Sequence, residues 1–173
     1  MSECSQQLEL IRQCYRAHDL DEEGIFYITR KLLEHYRNAI WMNGVITGEK
    51  NSILQNEGKE EVRKWYLGLK DLTKEQMEDT SVDSMIFHIC RTDWILRVIN
   101  VVMERVKIFH LTGGLYYDIL NKAFFSKDML SEDEIAEELC LARSTYYRRK
   151  REAILLCGVL LWEEASTRKF ARN

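Results

Sequence analysis

Residues 131–154 read SEDEIAEELCLARSTYYRRKREAI, and this stretch predicts two helices joined by a short turn. Its first four residues, SEDE, have the spacing of a capping box at a helix start, and their acids suit the positive end of a helix dipole. A short helix over about Glu132–Leu139 is expected to meet a break at 140–142. A longer helix then runs over about Arg143–Trp162. Two helices joined by so short a break are typical of a helix-turn-helix.

The apolar residues of this stretch match the interior of such a unit. Ile135 and the small Ala136 lie on the first helix, where the two helices must cross closely. Leu139 ends that helix, and Leu141 fills the turn. Tyr146 is expected to pack from the second helix. This pattern holds the second helix outward, so that the major groove of DNA can accept it.

The outward face of the second helix is predicted to be polar and basic. Side chains that recur at steps of three and four residues share one stripe of a helix. Here the stripe consists of Arg143, Ser144, Tyr147, Arg148 and Arg151. Five basic residues and no acid lie between Arg143 and Arg151, and the acids of the unit are concentrated before the turn. Such a run is often only a solvated helix face, but directly after this turn it favours nucleic acid.

Arginine can bond guanine or phosphate through two N–H groups at once, and hydroxyls near a helix start suit phosphates. The local basic surface is compatible with a formal net charge of −3 for the whole chain, because the charge is unevenly distributed. The predicted base contacts are Arg143, Ser144, Tyr147 and Arg148, and the predicted phosphate contacts are Thr145 and Arg151.

The stretch from Leu130 to Ile154 resembles the C-terminal helix-turn-helix of phage transcriptional regulators of the ArpU and RinA type. It is also similar to the promoter-reading fourth region of bacterial sigma factors. The resemblance covers about residues 114–162, and its most specific parts are STYYR at 144–148 and Ala153-Ile154. It implies sequence-specific binding of double-stranded DNA in the transcriptional control of a prophage or mobile element.

Two residues of the turn depart from the family's pattern. Cys140 stands where the family usually has glycine, and Ala142 stands where it usually has a capping serine. A residue with a β-carbon is less stable at positive φ, and alanine has no side-chain oxygen to cap a helix. The turn is therefore expected to be less favourable than that of the family.

The remainder of the chain predicts an all-α fold. The 173 residues include no proline and only 8 glycines, so a sandwich or barrel would lack its turn residues. Apolar periodicity predicts a helical N-terminal part, residues 1–112, followed by a helix-turn-helix DNA-binding domain, residues 113–173. The predicted helices of the first part cover about 5–17, 22–46, a short segment near 62–69, and a long middle stretch over 82–109. Trp41 is predicted to lie in the core. The middle helix is expected to be closed at Gly113-Gly114, because glycine can adopt the left-handed conformation that ends a helix. A loop is predicted at 47–59.

Several function classes lack support in the sequence. The five cysteines are at least ten residues apart, and the four histidines are scattered, so no metal site is predicted. Asp19, Asp21, Glu22 and Glu23 coincide with a helix start, where acids favour the dipole. No phosphate loop or catalytic pair is found, and we expect neither an enzyme nor a cofactor. No stretch of roughly 18 uncharged apolar residues is present, so a cytoplasmic protein without a membrane partner is expected.

Two alternatives stay open at the level of sequence. The basic helix could instead contact a protein, such as RNA polymerase or a phage packaging component. The apolar stripe of the middle helix, which includes Ile95, Val98, Ile99, Val102, Val106 and Phe109, could pack inside the chain against the helix that begins near residue 22. The stripe could instead form a homodimer, whose target would be an inverted repeat or two adjacent half-sites.

Overall fold

The computed structural model describes residues 3–42 and 59–167, in which helices alone form the regular structure. The all-α prediction is confirmed for this part of the chain. Most of the loop predicted at 47–59, and the predicted end of the second helix at 43–46, lie outside the described residues. The α-helices of the described residues are α1 Glu3–Ala17, α2 Glu22–Met42, α3 Lys59–Gly68, α4 Lys74–Met77, α5 Thr80–Ile89, α6 Asp93–Lys107, α7 Gly113–Leu120, α8 Glu132–Glu138 and α9 Arg143–Ser166. A 3-10 turn, Leu69–Asp71, follows α3, and a π-helical turn, Asn121–Phe125, extends α7.

Helix α9 forms the centre of the main hydrophobic core. Every residue from Glu152 to Leu161 is buried, and the helix packs against α1, α2, α3, α6 and α7. A helix that is apolar on all sides is stable only when other elements surround it. The main core therefore contains residues from both sides of the domain boundary predicted between 112 and 113, and that boundary stays a prediction.

Helices α1 and α2 approach α9 closely at Gly158. A β-carbon at this position would lie 2.5 Å from Thr29 Oγ1, 2.8 Å from Ile25 Cγ2 and 3.1 Å from Tyr15 Oη. The Tyr15 hydroxyl also donates a hydrogen bond to the carbonyl of Leu155 at 2.7 Å. Helices α1 and α2 thus meet α9 at a position that only glycine fits.

The structure contains the capping box predicted at Ser131 and a second one at Thr73. The hydroxyl of Thr73 accepts from the backbone N–H of Gln76 at 3.3 Å, and the Gln76 side chain accepts from the Thr73 N–H at 3.0 Å. Ser131 and Glu134 form the same reciprocal pair at the start of α8. These caps satisfy backbone donors that have no partner inside their helices.

The middle stretch predicted as one long helix is two helices. The chain breaks at residues 90–92, between α5 and α6, where the hydroxyl of Thr92 accepts from the N–H of Ile95 at 3.4 Å. Thr92 is the N-cap of α6, and a side-chain cap of this kind starts a new helix. The apolar pattern continues across the break, so periodicity alone did not reveal it.

The predicted role of the two glycines after the middle stretch was wrong. Helix α6 ends at Lys107, and the positive φ in the connection belongs to His110, at 35°. Gly113 and Gly114 are instead the first residues of α7. A β-carbon on Gly113 would lie 2.5 Å from the carbonyl oxygen of Val106, so glycine is required there by close approach.

The apolar stripe of the middle stretch lies inside the chain. Helix α6 packs against α9 and α7, and Phe109 is half-buried beside the core. These packing partners differ from the predicted one, which was the helix beginning near residue 22. The surface proposed for a dimer is therefore occupied within the chain. The fully buried members of the stripe are Ile95, Val98, Ile99, Val102 and Val106.

The prediction that Trp41 is a core residue was wrong. Its side chain is 41% exposed, and its indole N–H donates to the carbonyl of Phe125 at 3.2 Å. Tryptophan combines an apolar ring with one polar N–H, so it suits the edge of a core where that donor finds an acceptor. Trp41 thus connects the end of α2 to the π-helical turn after α7.

We expect Gly158→Ala to lower the free energy of unfolding by about 1–3 kcal/mol, because the added methyl group must displace well-packed atoms of α1 and α2. Gly114→Ala is the matched control, since Gly114 is exposed and a β-carbon there meets nothing within 4 Å. The control should leave stability unchanged or raise it by up to about 1 kcal/mol. Urea unfolding followed by circular dichroism measures both, and equal effects would contradict the close approach.

Buried tyrosines make stability depend on alkaline pH. Burial raises the pKa of Tyr36 and Tyr116 to about 12 and also raises the pKa of Tyr15, Tyr66 and Tyr146. An unfolded tyrosine loses its proton near pH 10, whereas these buried ones keep theirs to higher pH. Above about pH 10 their ionisation in the unfolded state therefore lowers the free energy of unfolding.

The stability should therefore be unaffected by these groups below about pH 10 and fall as the pH rises toward about 12. Urea midpoints at a series of pH values measure the effect. Tyr36→Phe removes one of the five groups, so its stability should fall less steeply over the same range. A flat profile for the unsubstituted protein would show that these hydroxyls ionise as freely in the folded state as in the unfolded one.

Candidate nucleic-acid interface

The helix-turn-helix has a small apolar core of its own. Ile119 from α7, Ile135 and Ala136 from α8, and Tyr146 from α9 form a buried cluster separate from the main core. Leu139 and Leu141 pack against it, as do three other apolar residues. The predicted interior of the unit is thus confirmed. Because α7 completes the cluster, the unit consists of three helices, and α9 belongs to both cores.

The turn between α8 and α9 has the less favourable geometry expected where Cys140 and Ala142 stand in place of a glycine and a capping serine. Cys140 adopts a φ of 55°, the left-handed region that favours glycine. Ala142 is the N-cap of α9 and makes no side-chain hydrogen bond. The turn is held instead by backbone bonds, from the N–H of Leu141 to the carbonyl of Ala136 at 2.9 Å and from that of Cys140 to Glu137 at 3.0 Å.

The structure brings most of the predicted contact residues onto one accessible face. They lie on the first turns of α9, before the helix enters the main core. The Arg143 guanidinium lies 5.9 Å from the ring centre of Tyr147, and its Nε is 3.4 Å from Asp133 Oδ1. Arg151 and Thr145 are both partly buried. The fully exposed members are Arg143, Ser144, Tyr147 and Arg148.

Two of the five cations counted in the basic run point inward. The Lys150 ammonium lies 2.5 Å from Glu132 Oε1 and 5.2 Å from the ring centre of Phe124, so it ties α9 to α8. Arg149 donates to the carboxylate of Glu152 at 3.0 Å. These two side chains hold the unit together, and the basic surface is smaller than the count of cations indicates.

Glu152 is a buried charge at the point where α9 enters the main core. Its side chain is only 2% exposed, and its Oε2 accepts from the Tyr116 hydroxyl at 2.8 Å as well as from Arg149. A buried carboxylate is tolerated when it is paired and hydrogen-bonded in this way. Because Tyr116 lies on α7, the network fixes which face of α9 points outward.

Arg151 has partners that sequence reasoning missed. Its Nη2 donates to the carboxylate of Glu23, and its guanidinium carbon lies 4.3 Å from the ring centre of Phe26. Both partners are on α2, and Glu23 precedes Arg151 by 128 positions, so no local pattern could have revealed the contact. The acids near this helix start behave as expected, since Asp21 Oδ2 accepts from the N–H of Gly24 at 2.7 Å.

Helix α8 presents an acidic face beside the basic row. The hydrogen bond from the backbone of Ser131 lowers the pKa of Glu134, so its carboxylate stays ionised. Carboxylates repel phosphates at short range, and a nucleic acid would therefore approach from the α9 side. These acids are visible in the sequence EDEIAEE at 132–138, but their position beside the basic row depends on how α8 packs against α9. The exposed acids of this face are Asp133, Glu134, Glu137 and Glu138.

Comparisons of the chain with family models, with characterised proteins and with solved structures find no match. Within residues 3–42 and 59–167, no group of three or more histidine, cysteine or acidic side chains is arranged to hold a metal ion. No helix in the same ranges is both long and apolar enough to cross a membrane. The surface of α8 and α9 therefore has to be interpreted from its own geometry.

We expect Cys140→Gly to raise the free energy of unfolding by up to about 1 kcal/mol. The left-handed conformation costs a residue with a β-carbon about 1–2 kcal/mol, and the greater freedom of glycine in the unfolded chain offsets part of this gain. Cys140→Ser keeps the β-carbon and serves as the control, for which no gain is expected. Urea unfolding in reducing buffer compares the two, and a loss of stability in the glycine variant would contradict the strain at this turn.

Proposed function

We propose that this protein is a sequence-specific DNA-binding regulator of transcription, acting in the cytoplasm on a prophage or mobile element. The observation that carries the proposal is the exposed row Arg143, Ser144, Tyr147 and Arg148, held outward by a three-helix core. The resemblance to regulators of the ArpU and RinA type implies the same role for this stretch. The proposal includes no enzymatic activity and no cofactor.

The dimensions of the row suit the major groove. From Arg143 to Arg151 the helix rises about 12 Å, which is close to the width of that groove in B-DNA. Arg143 and Arg148 are the side chains suited to guanine edges, while Ser144 and Tyr147 lie between them with one hydroxyl each. The side chains of the row can therefore contact several neighbouring base pairs at once.

Phosphate contacts would fix the register of the helix in the groove. Ala142 supplies no side-chain acceptor to the first N–H groups of α9, and such groups attract anions. Arg151 lies one turn beyond Arg148, near the place where the flanking backbone would pass. Thr145 is the weaker of the two predicted phosphate contacts, because a neutral hydroxyl bonds a phosphate less strongly than a charged guanidinium does.

A second candidate function is a protein-interaction module that binds RNA polymerase or a phage packaging component through the same helix. The acidic face of α8 favours this candidate, since Asp133, Glu134 and Glu137 repel phosphates but can pair with a basic protein surface. The two functions are compatible if DNA contacts α9 while a protein contacts α8. A homodimer on paired half-sites would need a surface other than the buried stripe of α6.

We expect Arg148→Ala to weaken binding to a duplex selected from a random pool by about 1–3 kcal/mol and to relax its sequence preference, because a base contact is lost. Arg151→Ala should weaken binding similarly for all sequences and reduce the slope of log affinity against log salt by about one unit. Lys70→Ala is the control, because Lys70 lies 5.4 Å from the ring centre of Trp162 at the opposite end of α9.

Fluorescence anisotropy with labelled duplex measures these affinities. If both arginine variants bind at physiological salt as tightly as the unsubstituted protein, the assignment of α9 to the groove is wrong. Gel shifts with and without RNA polymerase separate the two candidate functions. A complex that forms with polymerase and not with duplex alone would favour the interaction module.

A further inference from the structure

The contact between Arg151 and helix α2 is an exposed ion pair on an aromatic ring. The side chain of Arg151 is 41% exposed and that of Glu23 is 74% exposed. The guanidinium also lies over Phe26, whose ring is 5.9 Å from the guanidinium carbon of Arg30. A carboxylate and an aromatic face together are a complete recognition site for a guanidinium group.

This arrangement satisfies Arg151 before any nucleic acid binds. A phosphate recognises arginine through the same N–H donors that a carboxylate uses. Glu23 and a DNA phosphate therefore compete for one guanidinium. Lys150 and Arg149 differ in this respect, because their side chains are only 18% and 11% exposed, whereas Arg151 and its partner Glu23 are both at the surface.

We propose that Glu23 is an internal competitor of DNA, which holds Arg151 against Phe26 and must release it before Arg151 can bind a phosphate. The inference rests on the proposed DNA-binding function and names a regulatory contact of that same site. It assigns to α2, far from the helix-turn-helix in sequence, a direct influence on affinity for DNA.

The geometry allows the exchange to occur without rearrangement of the fold. A cavity of about 360 Å³ lies on the other side of Glu23 and Phe26, and its lining also includes Tyr27, Arg30 and Met77. The Glu23 side chain has room to turn aside, while the ring of Phe26 keeps the guanidinium near the row. Exposed ion pairs contribute little to stability, so breaking this one is a small cost that phosphates can offset.

The test compares two acids that are neighbours in the first turn of α2. Glu23→Gln removes the partner of Arg151. Glu22→Gln is the matched control, because it removes the same charge from the same helical turn, but Glu22 pairs with Arg12 at 3.1 Å. Both variants lose the same long-range repulsion of DNA. Affinity for a mixed-sequence duplex is measured by anisotropy at low ionic strength, since phosphate contacts do not depend on sequence.

We expect Glu23→Gln to bind the duplex about two- to five-fold more tightly than the unsubstituted protein, as the usual strength of an exposed pair implies. Glu22→Gln should raise the affinity for the duplex by a distinctly smaller factor. When Arg151 is already replaced by glutamine, adding Glu23→Gln should raise the affinity for the duplex no more than adding Glu22→Gln does. This pattern identifies an effect that passes through Arg151.

Equal gains for the two glutamate variants would overturn the inference, as would a gain from Glu23→Gln that persists without Arg151. Arg148→Gln is measured alongside. If it weakens binding while Glu23→Gln has no effect, the inference is wrong and the DNA-binding function stands. If neither the protein nor any variant binds duplex DNA, the proposed function fails and the inference fails with it.

Discussion

The complete burial of α9 from Glu152 to Leu161 is the constraint on which the rest of the structure depends. One helix supplies both the centre of the main core and, in its first turns, the exposed basic row. The row therefore extends from an element that six other helices of the described residues contact. A contact surface built on a rigid element of this kind keeps its side chains in a fixed geometry, which a loop would not do.

The network around Glu152 connects these two roles. A buried ion pair adds little net stability, because removing two charges from water costs about as much as their attraction returns. Its effect is on orientation, since Tyr116 on α7 and Arg149 on α9 reach the same carboxylate. With Glu152 anchored, Arg149 faces inward and Arg148 faces outward. This network and the burial of residues 152–161 together hold α9 in one rotation about its axis, with Arg143, Ser144, Tyr147 and Arg148 at the surface.

Local patterns were enough to predict the helix-turn-helix. Its capping box, its small residue at the crossing and its apolar turn are all short-range features, and all are present as expected. Even the left-handed backbone at Cys140 followed from the comparison with a glycine in the resembling family. Features that depend on distant contacts were not predictable. The break at residues 90–92 preserves the apolar period, and Trp41 is exposed with its indole N–H bonded to Phe125, which is 84 positions away.

The same distinction explains why the site was predicted only in part. The sequence RRKR at 148–151 shows four cations in a row. Arg149, Lys150 and Arg151 pair with acids at increasing separations, which are Glu152, Glu132 and Glu23. The first partner is one turn away, the second is on the neighbouring helix and the third is on α2. A count of charge treats these cations as equal, although packing makes two of them structural and leaves one on a surface pair. Because α8 is acidic beside them, attraction for a polyanion depends on the direction from which it approaches rather than on net charge. The orientation of α9 is thus what converts an acidic chain into one with a basic face.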